Sequence, residues 1–197
     1  MSGLTFRETM QGPVALGATD PALGAADLDA KNVAIHCEIS IEDIDRFVAD
    51  RDHTGSITGS VASELFGGEV PVTRGIFNLF SPDGPNERLM QYRLAFEHDG
   101  KSYFLDGAKH VHDDPGFDVW KDTTTLHTVL HEGSDSNGPV AGAGILSLGA
   151  EALARMMSTM RPVGGEIEPL VKFGKVFLGS LWEQYGADKI GGSSGDH

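Results

Sequence analysis

The chain has 197 residues, with 15 Lys plus Arg against 29 Asp plus Glu, for a net charge of −14. That length suits one domain able to bury a full core. The acidity excludes a general nucleic-acid binder, which needs clustered Lys and Arg, and disfavours docking on an anionic membrane; the single cysteine, Cys37, excludes an internal disulfide and any cysteine-based zinc cluster.

Most of the chain reads as strands. Thr5 to Leu16 is a first strand, broken at Gly12-Pro13. Asp20 to Asn32 carries Pro21, Gly24 and small residues and reads as a loop or arm. Val33 to Ile41 alternates strictly, with Val33, Ile35, Cys37, Ile39 and Ile41 on one face, the mark of a half-buried strand. Ser40 and Glu42-Asp43 before Ile44, Phe47 and Val48 predict a short capped helix. Ser56 to Leu65 is a weaker strand containing Gly59. Val70 to Phe80 is another, ending at the turn Ser81-Pro82-Asp83-Gly84-Pro85.

Leu89 to His98 and Lys101 to Val111 flank Asp99-Gly100, a two-residue hairpin loop of type I′. The loop fixes the register. Phe96 faces Tyr103, Leu94 faces Leu105, Tyr92 faces Gly107 and Met90 faces Lys109, so one face is aromatic and apolar. Arg93 lies opposite Asp106 on the other face and is expected to form a surface ion pair. Gly107 beneath Tyr92 reads as a bare backbone covered by a ring, or as a bend that closes a barrel.

After the acidic stretch Asp113 to Asp118, Val119 to Glu132 is a Thr-rich strand, and Val140 to Leu148 a strand of small residues. The period then changes. Leu153, Met156, Met157 and Met160 recur at helical spacing, as do Leu170, Phe173, Phe177 and Leu181, with Pro162 to Gly165 between the two helices. The chain is therefore mainly β. The expected fold is an antiparallel barrel of about eight strands, lipocalin- or calycin-like, with two C-terminal amphipathic helices. Residues 1–190 form one domain and 191–197 a flexible tail. With no signal peptide, membrane span or lipidation motif to be read, the expected location is the cytoplasm.

Several stretches together resemble a bacterial domain of about two hundred residues. They are Phe6 to Gly12, Ile41 to Phe47, His53 with Gly55 and Gly59, Gly67-Gly68 with Pro71-Val72, Gly75 to Phe80, Gly107-Ala108-Lys109, Asp113 to Gly116, Trp120 to Leu126, and Leu181 to Tyr185. That domain is found alone, or attached to flavin-dependent oxidoreductases of the glucose-methanol-choline type, cholesterol-oxidase-like ones included, and to α/β hydrolases. The resemblance implies a lipid or steroid-like ligand and, through its association, a flavin oxidoreductase as partner; the apolar helices, if they dock, would meet such an enzyme or a second copy of the chain. It carries over no catalytic residue. The chain departs from the pattern between residues 20 and 32, where Ala25, Ala26 and Asp29 stand in place of a glycine-rich spacing.

The expected ligand-binding face holds Tyr92, Phe96, Tyr103, Leu105 and Lys109, with Trp120 beside it. Lys109 on an apolar face is costly unless paired or functional. It either binds a ligand carbonyl or carboxylate, or lies at the strand end and snorkels to water. Asp122, if inward, could shuttle a proton, and His127 is a further acid/base candidate. His110 and His112 share a strand face near ~7 Å apart, a spacing two imidazoles can use for one ion. The simpler reading is an exposed pair at a strand end, and neither a metal nor a cofactor is expected. The acidic stretch lacks the spacing of an EF-hand. Three readings follow: an apolar small-molecule binder, a cofactor-independent isomerase or cyclase in the same cavity, and a protein-docking module. A dry apolar cavity favours the first, a polar pair inside it the second, and a filled interior with an exposed apolar patch the third.

Overall fold

The structure is a computed structural model that describes residues 2–84, 87–112 and 124–185, with the backbone alone at 112 and at 178–185. Asp99 and Gly100 take φ of 49° and 72°, the left-handed pair a type I′ turn requires. The turn joins β5 (Glu87–His98) to β6 (Lys101–His112). Phe96 pairs with Tyr103, Tyr92 with Gly107 and Met90 with Lys109, the register the loop dictates.

The other strands are β1 (Gly3–Leu16), β2 (Lys31–Ile41), β3 (Thr54–Ser63), β4 (Gly68–Pro82), β7 (Thr125–Glu132), β8 (Val140–Ser147) and β9 (Arg161–Val163). The first eight pair antiparallel in the order β2-β3-β4-β5-β6-β7-β8-β1. β1 also pairs with β2, which closes an eight-stranded barrel. A barrel of this size has room for packed side chains or one small ligand. No helix among the described residues is long and apolar enough to cross a membrane.

Contrary to expectation, β1 is not broken at Gly12-Pro13. Both residues stay paired with Val33 and Asn32 of β2, while the β8 ladder skips them, pairing Gln11 and then Val14 to Leu16. Gly12 is required there, because a Cβ would sit 2.1 Å from the Ile145 carbonyl oxygen. The expected loop at 20–32 contains a helix, α1 (Pro21–Ala26), capped by the Asp20 side chain with proline in its first turn. Gly107 lies directly opposite Tyr92. A Cβ there would meet the Leu126 side chain at 2.8 Å, so the bare backbone makes room for β7.

The inner face is apolar. Ile35, Cys37, Ile39 and Ile41 of β2 and Leu94, Phe96 and Leu105 of the hairpin are all buried, as alternation predicts. Phe66, on a 3-10 turn (Glu64–Phe66), plugs one end of the barrel against Phe96 and Tyr103, with ring centroids 5.0 and 5.6 Å away. The other end is covered by helices. α2 (Ile44–Ala49) is capped by Asp43. α3 (Ala150–Thr159) follows β8, and α4 (Glu168–Tyr185) follows β9. β9, in the segment expected only to separate the last two helices, pairs with Gly3 to Thr5 of β1.

Candidate functional site

The open half of the barrel holds a cavity of about 430 Å³ beneath α3 and α4. Its walls come from Phe6 of β1, Phe77 and Leu79 of β4 and Met90 of β5. Its roof is Leu153, Met156 and Met157 of α3 and Met160 just beyond it, with Leu170, Phe173, Gly174 and Phe177 of α4. A bulge in β4 shapes one wall. The register against β5 shifts between Asn78 and Ser81, and Phe80 takes φ 53°, so adjacent Leu79 and Phe80 are both fully buried. Asn78 and Ser81 side chains donate to the Asp52 carbonyl and hold the bulge in place.

The two roof helices are anchored separately. Arg7 N–H donates to Thr159 Oγ1 at the end of α3 (2.9 Å), and β9 continues on β1. α4 rests on α2 through Phe173 and Phe47 (centroids 6.1 Å), and Lys172 on α4 bridges to Asp45 at 2.5 Å. Hydrogen bonds to Asp45 and Glu168 hold the Lys172 ammonium above its ordinary pKa. Met157 lines the cavity yet is 62% exposed, which marks the mouth. Gly174 lines it too, and a Cβ there would meet nothing within 4 Å.

Three polar side chains form the cavity floor. Lys109 Nζ donates to Glu8 Oε1 at 3.1 Å and to Tyr92 Oη at 3.3 Å, and Tyr92 Oη donates to Glu8 Oε2 at 2.7 Å. The Lys109 and Glu8 side chains are 1% and 2% exposed. Nζ also lies 4.8 Å from the Tyr92 ring centroid, within cation–π range. Burial pushes the Tyr92 phenol well above its ordinary pKa, and the Glu8 charge and hydrogen bond push the same way, so Tyr92 is a neutral donor. Burial, then the Glu8 charge, push the neighbouring Cys37 thiol up, which leaves it unreactive. Each Glu8 oxygen is matched by one donor. Lys109 has given two of its three N–H groups among the described residues, so one remains for a ligand.

Of the residues expected to bind ligand, Tyr92 and Lys109 line the cavity. Phe96, Tyr103 and Leu105 share their face but lie toward the plugged end, outside the cavity wall. Sequence alternation gives the face of a residue and not its depth along the barrel. Lys109 does not snorkel to water; it is enclosed and paired with Glu8, a residue the sequence reading passed over. His127 is on the outer face of β7, half-buried between inward Leu126 and Thr128, and its ring is 5.5 Å from His110. It therefore cannot act inside the cavity. Trp120 and Asp122 lie outside the described residues, as does the His112 side chain. His110 pairs with Glu87, and no group of three or more His, Cys, Asp or Glu among the described residues is placed to hold a metal.

The expected Arg93–Asp106 ion pair does not form. The two residues are cross-strand neighbours, but Arg93 donates to Asn78 Oδ1 instead. Burial holds the Asp106 carboxyl above its ordinary value, against the pull of Arg93 and His131. Comparison of the chain with protein-family models, with curated proteins and with solved structures finds no match in any of the three.

Proposed function

We propose that the protein binds a lipid or steroid-like small molecule in the barrel cavity, with one hydrogen-bond acceptor of the ligand seated at Lys109. The cavity carries this reading. Its volume falls in the range of small-molecule pockets, roughly 300–1,000 Å³, and its lining is apolar except for Thr124 and the Glu8–Tyr92–Lys109 floor. Met156, Met157 and Met160 give the roof an adaptable apolar surface. The implied association with flavin oxidoreductases fits an accessory role, holding an apolar substrate or product for a partner enzyme.

The polar floor also supports a second reading, a cofactor-independent isomerase or cyclase. Here Lys109 and Tyr92 would polarise a ligand carbonyl and Glu8 would relay a proton. The unfilled interior favours both readings over a pure docking module.

Native mass spectrometry of protein purified from its host tests the binding reading, followed by titration of the emptied protein with a steroid ketone. The expected result is a co-purified small molecule, or saturable binding of the ketone, lost in Gly174→Trp. A protein that carries nothing and binds neither steroids nor fatty alcohols overturns it. Conversion of the ketone to an isomer would establish the second reading.

A further inference from the structure

We infer that Lys109 forms a reversible imine with an apolar aldehyde held in the cavity, an assignment that rests on the binding reading above. A lysine amine shielded from water, reachable from a ligand cavity and beside a proton acceptor is the arrangement used for Schiff-base chemistry. Lys109 meets each condition. It is 1% exposed, it lines a cavity of about 430 Å³ that opens at Met157, and Glu8 Oε1 lies 3.1 Å from Nζ. An ion pair kept only for stability is a poor use of a barrel interior, because apolar side chains of similar volume are as good or better there.

The chemistry balances within the three residues and the aldehyde. Nζ passes a proton to Glu8 and attacks the carbonyl carbon, forming the C–N bond. The alkoxide takes that proton back from Glu8 to give a carbinolamine. Glu8 then accepts a second proton from nitrogen and delivers it to the departing hydroxyl, and water leaves with both. The net change is ammonium plus aldehyde to iminium plus water. The net charge of the site is zero at every stage, ammonium with carboxylate before and iminium with carboxylate after, so Glu8 is the counter-ion at both ends and the buried site never holds an unpaired charge. Tyr92 Oη, 3.3 Å from Nζ and 2.7 Å from Glu8, holds the carboxylate in place and donates no proton of its own to the net reaction.

The test uses the whole protein with dodecanal and sodium cyanoborohydride, read by intact mass and peptide mapping. A parallel arm measures non-covalent binding of dodecanol by native mass spectrometry. The expected result is one added mass per chain, equal to the aldehyde less its oxygen, mapped to Lys109 and suppressed by excess dodecanol. Glu8→Gln should slow trapping at least tenfold. Lys109→Arg, checked for folding by circular dichroism, should abolish it. The peptide map of the unaltered protein decides the matter even where a variant does not fold. Binding of dodecanol with no adduct, or with adducts spread over Lys31, Lys101 and the other surface lysines, overturns the imine and leaves the binding reading standing. Failure of both arms overturns both.

Discussion

Replacing Lys109 by Met strands Glu8, whose side chain is 2% exposed, as an unpaired carboxylate in the barrel. At a separation of 3.1 Å two unit charges attract by about 5 kcal/mol at an effective dielectric of about 20. Removing one partner of a buried pair costs roughly 3–5 kcal/mol in practice. Against a domain stability of about 5–15 kcal/mol, that is a large share, and the variant should be marginal. Glu8→Gln/Lys109→Met behaves differently, because no charge remains and the amide oxygen still accepts from Tyr92. It should recover to within about 1–2 kcal/mol of the unaltered protein. Urea unfolding followed by far-UV circular dichroism gives both values, with the m-values compared to exclude a change of denatured state. The reasoning fails if Lys109→Met loses less than about 1 kcal/mol, or if the double variant is as unstable as the two single losses summed.

Three further outcomes follow. Gly174→Ala should stabilise α4 by about 0.5–1 kcal/mol, since the glycine is mid-helix and its Cβ meets nothing within 4 Å, while Gly174→Trp should fill the cavity and weaken apolar probes at least tenfold in a dye-displacement titration. Phe96→Ala should cost roughly 3–5 kcal/mol in thermal or urea unfolding yet leave probe affinity unchanged, because Phe96 packs at the plugged end. Asp106 has a folded pKa above its ordinary 3.8, so it favours folding below that value and the contribution is lost as pH rises through the folded pKa. Asp106→Asn should therefore raise the melting temperature at pH 7, with the gain disappearing in acid; a lower melting temperature at pH 7 would refute the assignment.

The hairpin was legible because Asp99-Gly100 permits one turn type and hence one register, and that register put Lys109 on the Tyr92 face. Its partner was legible in principle. Phe6, Glu8 and Met10 alternate on one face of β1, so Glu8 had to enter the same interior. Reading the strand as broken at Gly12-Pro13 hid that pattern. α1 was missed because Pro21 and Gly24 weigh against a helix and the small residues around them show no apolar period, while what holds it is tertiary. Gly24 lies against the β8 backbone, where a Cβ would be 2.0 Å from the Ala143 carbonyl oxygen. The division of the barrel into a plugged and an open half depends on Phe66 and on α3 and α4 folding back, contacts no local pattern encodes.

Calorimetric titration with a matched pair, a steroid ketone and its parent hydrocarbon, at several temperatures tests the central claim most directly. Both ligands should bind with a negative heat-capacity change, the mark of apolar burial. The ketone should bind tighter by roughly 1.5–3 kcal/mol, the value of a hydrogen bond from a charged donor. The Glu8→Gln/Lys109→Met double variant, which has no charged donor, should erase that difference while the hydrocarbon still binds. Equal affinity for the two ligands in the unaltered protein, or binding of neither, would contradict an apolar cavity with Lys109 as its polar end.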